Sequence, residues 1–362
     1  VSNALTYAAS GVDIAAGEDA VQRIKAAVAS TARPEVIGGI GGFGGLFAFP
    51  VERYRQPVLV STTDGVGTKS YIASAVGKFS TIGVDLVAMC VDDLVCTGAE
   101  PLFMLDYLAL ARLDPAVVEE IVSGIADGCR QAGCALIGGE MAEHPQPQGE
   151  RGRHIEVASS TKAGEHAFAF DLAGFAVGVV ERSAILSPEL IRPGDELVGI
   201  ASPNLRSNGF SLARRALLEA AGRSLDAPAW EGADHSLGDE LLAPSVIYAP
   251  AVLSLASQVE LHGLAHITGG GIAGNLARIL PDDVGALVER HAWRVPKIFH
   301  EIAACGKVAP EEMERVFNMG LGMIAAVGAG SGRKAVDVLC SLGHESWVVG
   351  RVDGNVKGVN IV

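Results

Sequence analysis

Ser61-Thr-Thr-Asp-Gly-Val-Gly-Thr-Lys-Ser-Tyr-Ile-Ala73 follows a short apolar run, Val58-Leu-Val60, introduced by Pro57. The run reads as a buried strand that ends on Asp64, Gly65, Gly67, Thr68 and Lys69. A carboxylate for a cation, bare backbone N–H groups and one ammonium at a strand end suit a metal–triphosphate. The same residues also fit a plain Asp-Gly turn between strands. Their neighbours in the chain bear on which reading holds.

Upstream, Gly38-Gly-Ile-Gly-Gly-Phe-Gly-Gly45 forms a glycine loop. It contains Gly39, Gly41 and Gly44 in a dinucleotide-like spacing, but such a fingerprint needs a helix directly after the glycines, and Pro50 and Pro57 leave no room for one. A Walker A loop is also absent. The remaining readings are a flexible surface loop or a mobile flap whose Gly41, Gly42 and Gly44 amides fold over phosphates. Downstream, the apolar spacing over 80–98 predicts a helix that carries Asp85, Asp92 and Asp93. A strand is expected over 101–111. Asp114 and Pro115 then open a further helix, and the strand at 134–140 ends on Gly138-Gly-Glu140. Acidic residues on a helix usually meet solvent. Here Asp64, Asp92, Asp93 and Glu140 stand at the ends of separate elements, an arrangement that also suits Mg²⁺ with its oxygen ligands.

In the second half, helices are expected at 208–220 and 272–280, a buried helix with a break at 241–259, and strands at 172–180, 196–201, 321–327 and 346–352. Strands and helices alternate without a clean βαβ repeat, which predicts an α+β fold. The length of 362 residues suits two domains, 1–171 and 172–362, with an extended loop at 146–170. Arg206-Ser-Asn-Gly209 and His266-Ile-Thr-Gly-Gly-Gly271 each open a helix. Both place hydroxyls and bare N–H groups at a positive helix end, where anions bind. Ser207 and Thr268 are equally compatible with ordinary N-caps, and His266 with a satisfied core histidine.

The balance of 28 basic to 42 acidic residues gives a net charge of −14, which argues against nucleic-acid or anionic-membrane partners. Six cysteines without a CxxC pattern predict reduced, buried thiols and a cytoplasmic setting. Val1-Ser-Asn-Ala4 lacks the character of a secretory leader, and Pro244 and Pro250 interrupt the longest uncharged stretch, so no membrane span is expected.

Taken together, these segments resemble the phosphoribosylformylglycinamidine cyclo-ligases, the aminoimidazole ribonucleotide synthetases of purine synthesis. Other stretches carry the likeness too: Gly11-Val-Asp-Ile-Ala-Ala-Gly17, Gly98-Ala-Glu-Pro-Leu102, Asp171-Leu-Ala-Gly174 and Phe317-Asn-Met-Gly320. The resemblance covers nearly the whole chain. It implies a homodimer whose N-terminal domains pair into a β-barrel, each followed by a second α+β domain. It places ATP, as a substrate, at Gly41, Gly42, Gly44, Asp64, Gly65, Gly67, Thr68 and Lys69, with Mg²⁺ on Asp64, Asp92, Asp93 and Glu140. Formylglycinamidine ribonucleotide is expected at Asp171, Ser207, Asn208, Gly209, Thr268, Gly269 and Gly270. Phosphorylating the formamide oxygen makes it a leaving group, and an amidine nitrogen then closes the ring. Lys69 is the expected stabiliser of the phosphoryl charge, and His266 the expected carrier of a proton.

The family often has His where Arg206 stands, so no role transfers to that position. Selenophosphate synthetase and the hydrogenase maturation member of the superfamily each need a cysteine absent here at the required chain end. Thiamine-phosphate kinase is the nearer rival. A non-catalytic nucleotide-binding regulator would be expected to lose Lys69 or the carboxylates.

Overall fold

The computed structural model describes residues 6–7, 10–144 and 169–362; most of the loop expected at 146–170 lies outside them. The chain folds around two sheets. A short antiparallel ladder, β1 (Val36–Ile37) with β2 (Leu46–Phe47), flanks the glycine loop. The first large sheet contains β3 (Pro57–Gly65), β4 (Glu100–Leu110), β5 (Ala135–Glu143) and β6 (Phe170–Glu181), in the order β3-β6-β4-β5. Strand β4 is parallel to β5 and the other pairs are antiparallel.

Helices α1 (Ile14–Ala29), α3 (Ser80–Val95) and α4 (Pro115–Ala132) cover one face of this sheet, and α2 (Lys69–Val76) begins where β3 has ended. The sequence explains the geometry. Asp114 caps α4 by accepting from the Ala116 amide, with Pro115 at the first helical position. Gly83 and Gly124 let α3 and α4 touch backbone to backbone; a Cβ on either would run into the other helix. That close contact leaves α3 buried on nearly every side, carboxylates included.

The second sheet has the order β12-β9-β11-β7-β10-β8. Its strands are β7 (Glu196–Ala201), β8 (Leu261–His266), β9 (Gly285–Val288), β10 (Leu321–Val327), β11 (Ser346–Asp353) and β12 (Gly358–Ile361). Only β12 and β9 run parallel. The observed fold is thus two α+β domains, with one hydrophobic core continuing from the first into the second.

Three expectations change. The boundary at 171/172 cuts through β6, which pairs with β3 from Pro57↔Glu181 to Gly65↔Ala173 and so belongs to the first sheet. The first domain therefore runs through Glu181. The broken helix at 241–259 is two helices, Leu237–Leu242 and Ala249–Ala256, with Pro244 between them. The helix at 208–220 is α-helical over Phe210–Arg214 and continues as a π-helix over Arg215–Ala220. Among the described residues no helix is long and apolar enough to cross a membrane.

Candidate active site at the domain junction

Helix α3 forms the seam between the domains, and its acidic residues meet the second domain. Asp85 and Lys69 form an ion pair of 2.6 Å with side chains 0% and 1% exposed. Asp85 Oδ1 also accepts from the Ser245 amide and hydroxyl, at 2.8 and 2.5 Å. Lys69 Nζ donates further to the carbonyls of Arg206 (3.1 Å) and Ala243 (2.9 Å). Burial pulls the Lys69 ammonium down and pushes the Asp85 carboxyl up, and each partner opposes the other's shift. The close contact and the two added donors on Asp85 hold the pair charged.

Asp92 is equally committed. Its Oδ2 accepts from Arg206 Nη2 at 2.7 Å, and its Oδ1 from the Tyr248 and Ala249 amides at 2.9 and 3.2 Å. The break at Pro244 supplies these donors, because amides at the start of the following helix have no carbonyl within it. Arg206 sits at the hub with φ +60°, a conformation side chains other than glycine rarely adopt. Its guanidinium also donates to the Val246 carbonyl and lies 4.8 Å from the Tyr248 ring centre.

Three expectations are corrected by this seam. Lys69 has all three ammonium donors engaged inside the protein, so it is an interdomain strut and does not face a phosphoryl group. Both Asp92 oxygens already accept from protein donors, and the side chain is 0% exposed with its charge balanced by Arg206, so it does not face a cation site. His266 Nδ1 lies 2.8 Å from Asp93 Oδ1 and Nε2 lies 3.0 Å from Arg206 Nη2, with the side chain 2% exposed. A guanidinium only donates, so Nε2 accepts and the proton sits on Nδ1, facing Asp93. With both nitrogens occupied, His266 orients Asp93 and has no site for a substrate proton.

Asp64 and Asp93 remain. Asp64 ends β3 and accepts from the Gly65 amide at 2.7 Å. Burial, and then the negative charge of Asp93, push its carboxyl up. Neither carboxylate pairs with a Lys or Arg among the described residues. No cluster of three or more His, Cys, Asp or Glu capable of holding a metal occurs among them either. Glu140 does not join Asp64: β3 and β5 are opposite edges of the sheet, about 14 Å apart at the usual strand spacing. Gly139, one residue away, faces the helices and Asp106, so Glu140 points to the other face. Asp171 alternates to that same uncovered face and does not meet the second domain's loops.

The nucleotide residues divide accordingly. Gly41, Gly42, Gly44 and Glu140 border a cavity of about 500 Å³ at the β5 edge, floored by Ile24, Val122 and Leu136. Asp64, Gly65, Gly67 and Thr68 lie at the β3 edge, where the Thr68 hydroxyl is 3.2 Å from that of Ser211. Asp106, which sequence reading missed, also lines the cavity, and burial pushes its carboxyl up to about 7. Its signal was an acid at an inward position of an otherwise apolar strand. On the second domain the two anion-type loops meet: Asn208 Oδ1 accepts from the Gly269 amide at 3.0 Å. The Ser207 hydroxyl is buried and has no partner among the described residues. Gly209, Thr268 and Gly270 complete this rim.

The comparisons with known proteins agree with one another. The AIR synthase related protein N-terminal domain model matches residues 51–160, and the C-terminal domain model matches 192–361. A phosphoribosylformylglycinamidine cyclo-ligase of Myxococcus xanthus is 52% identical over 96% of both chains. That of Carboxydothermus hydrogenoformans is 48% identical over 99% of this chain and 98% of its own. Among solved structures, thiamine-monophosphate kinase from Stenotrophomonas maltophilia superposes with TM-score 0.64 at 19% identity, covering 95% of each chain. E. coli HypE gives 0.64 at 14% identity, covering 95% of this chain and 93% of its own. At these identities the two structures share the fold alone.

Proposed function

Because the chain belongs to the phosphoribosylformylglycinamidine cyclo-ligase family, we propose that its reaction takes place where Asp64 and Asp93 face the joined Asn208–Gly269 loops. The enzyme is an ATP-dependent ligase of purine synthesis that closes formylglycinamidine ribonucleotide to aminoimidazole ribonucleotide. ATP gives its γ-phosphoryl group to the formamide oxygen and leaves as ADP. The amidine nitrogen then attacks the former carbonyl carbon and loses a proton; the new C–N bond forms as the C–O bond breaks and phosphate departs. Little covalent chemistry is asked of the protein, whose part is to position and to neutralise charge.

The observation that carries this placement is the Asp64–Asp93 pair at the junction, without a cationic side chain to balance it. Mg²⁺ fits such a pair, since it is bound by one or two carboxylates together with substrate phosphates. When bound it supplies positive charge against the triphosphate. Gly67 and Thr68 offer backbone and hydroxyl donors beside it, while the Gly65 amide holds Asp64 itself, and Ser207, Asn208, Gly209, Thr268, Gly269 and Gly270 form the substrate's rim. The apolar cavity under Gly41, Gly42 and Gly44 suits the nucleotide's base.

The division of the nucleotide residues between two sheet edges favours a homodimer. Leu59, Tyr107 and Phe175 stand exposed on the sheet face that carries no helix. A second copy covering that face closes a barrel, and pairing β5 of one chain with β3 of the other brings the glycine loop to the partner's Asp64 strand. Light scattering then gives twice the 37.3 kDa chain mass, and ATP affinity weakens on dilution. A monomer that binds ATP tightly would refute this arrangement. The reaction itself is tested with the purified protein, formylglycinamidine ribonucleotide, ATP and Mg²⁺, with aminoimidazole ribonucleotide and ADP as the products sought. ADP released without the ribonucleotide being consumed would sink the assignment.

A further inference from the structure

A second cavity, of about 330 Å³, opens at the domain junction. Asp93 and His266 line it together with Thr97, Ser187, Asn275 and Arg278. Arg278 is the one cation of that lining, and among the described residues it makes no ion pair. Its contact is a long hydrogen bond from Nη1 to Asn275 Oδ1, at 3.4 Å. Asn275 is 3% exposed, and its Nδ2 donates to the carbonyls of Thr268, Gly269 and Gly271 at 3.3, 3.2 and 2.9 Å. One buried amide therefore fixes the Thr268–Gly271 turn and directs its oxygen to the guanidinium.

The other cations of the junction are spent. Lys69 is held by Asp85 and Arg206 by Asp92. A chain of net charge −14 repels an anionic substrate, so a phosphate needs a local cation with free donors. A guanidinium presents several N–H groups in a fork that matches two phosphate oxygens at once. The cavity also has a polarity: a cation without a counter-ion and a carboxylate without one line the same space.

We propose that this cavity takes the ribonucleotide, with its 5′-phosphate on Arg278 and its formamide end towards Asp93. The proposal rests on the cyclo-ligase reading and adds an orientation to it. The phosphate is anchored on the second domain through the Asn275-braced turn, and the reacting oxygen lies at the Asp64–Asp93 end, where the γ-phosphoryl group is delivered.

The test compares formylglycinamidine ribonucleotide with the same compound lacking its phosphate, in the wild-type chain, Arg278→Met and Arg278→Lys. Arg278→Met is expected to raise the KM for the ribonucleotide about tenfold to a hundredfold, the range for a lost hydrogen bond to a charged group. It leaves the KM for ATP unchanged and abolishes the preference for the phosphorylated compound. Arg278→Lys keeps the charge and recovers part of that preference, which guards against a mere folding defect in the Met variant. If Arg278→Met retains the wild-type preference, or if the ATP KM moves instead, the orientation is overturned. A wild-type chain that forms no aminoimidazole ribonucleotide overturns the cyclo-ligase reading itself.

Discussion

Asp85 and Asp92 on one side, and Asp64, Asp93 and Asp106 on the other, are carboxylates of one domain put to opposite uses. The first two are fully buried, each paired with a cation and with donors from the segment around Pro244. The others lack a cationic partner among the described residues, and two of them have carboxyls pushed up by burial. An acidic residue inside a protein is therefore not in itself a ligand site. What matters is whether its charge has already been balanced by the fold, because an unbalanced buried charge is costly unless a ligand completes it.

The sharpest way to break this contrast is Lys69→Met. Removing one partner of a buried pair leaves Asp85 uncompensated, so unfolding in denaturant is expected to show a loss of about 3–5 kcal/mol. Adding Asp85→Leu should return much of it. If Lys69→Met keeps wild-type stability and loses turnover alone, Lys69 belongs to the chemistry and the contrast fails. Asp64→Asn should behave in the opposite sense. Stability holds, while Mg²⁺-dependent ATP affinity in equilibrium binding falls about tenfold, as for loss of one charge-assisted contact. Equal affinity in the two proteins would remove Asp64 from the nucleotide site.

Asp106 gives the smallest effect. Its folded-state value of about 7 lies above the ordinary carboxylate range. Between the two values the folded chain keeps a proton that the unfolded chain has lost, so this group's contribution to stability falls as pH rises towards about 7. Asp106→Asn has no such proton. Between pH 5 and pH 8 its melting temperature should drop less than the wild type's, by at least about 2 °C. Parallel melting curves across that range would show that Asp106 is not held protonated.

Much of this was legible in the chain. The cap at Asp114, the stop at Gly133 and the apolar period of α3 each act through neighbours in sequence, and the helices formed close to where they were expected. The stretch at 172–180 is legible as an apolar strand, yet it belongs to the first sheet and not to the second domain. Alternation says which face of a strand is buried, and is silent about which sheet it joins. β6 reached the first sheet by pairing with β3, more than a hundred residues earlier.

The candidate site divides along the same line. Asp64, Asp93 and the loops around Asn208 and Gly269 were visible because each stands at an element end, where sequence signals are local. Lys69, Asp92 and His266 are visible in the chain as chemical groups but their partners are not, since Asp85, Arg206 and Asp93 lie far away in the chain or behind a turn of helix. Asn275 and Arg278 gave no signal that separates them from an ordinary helix surface.

The sequence by itself determined the family, the two α+β domains, the elements and the kinds of chemical group available. The tertiary structure decided which of those groups were already neutralised. Charge balance inside a protein depends on distance and burial, and residues such as Asp92 and Arg206, 114 positions apart, come within 2.7 Å only when both domains close on α3.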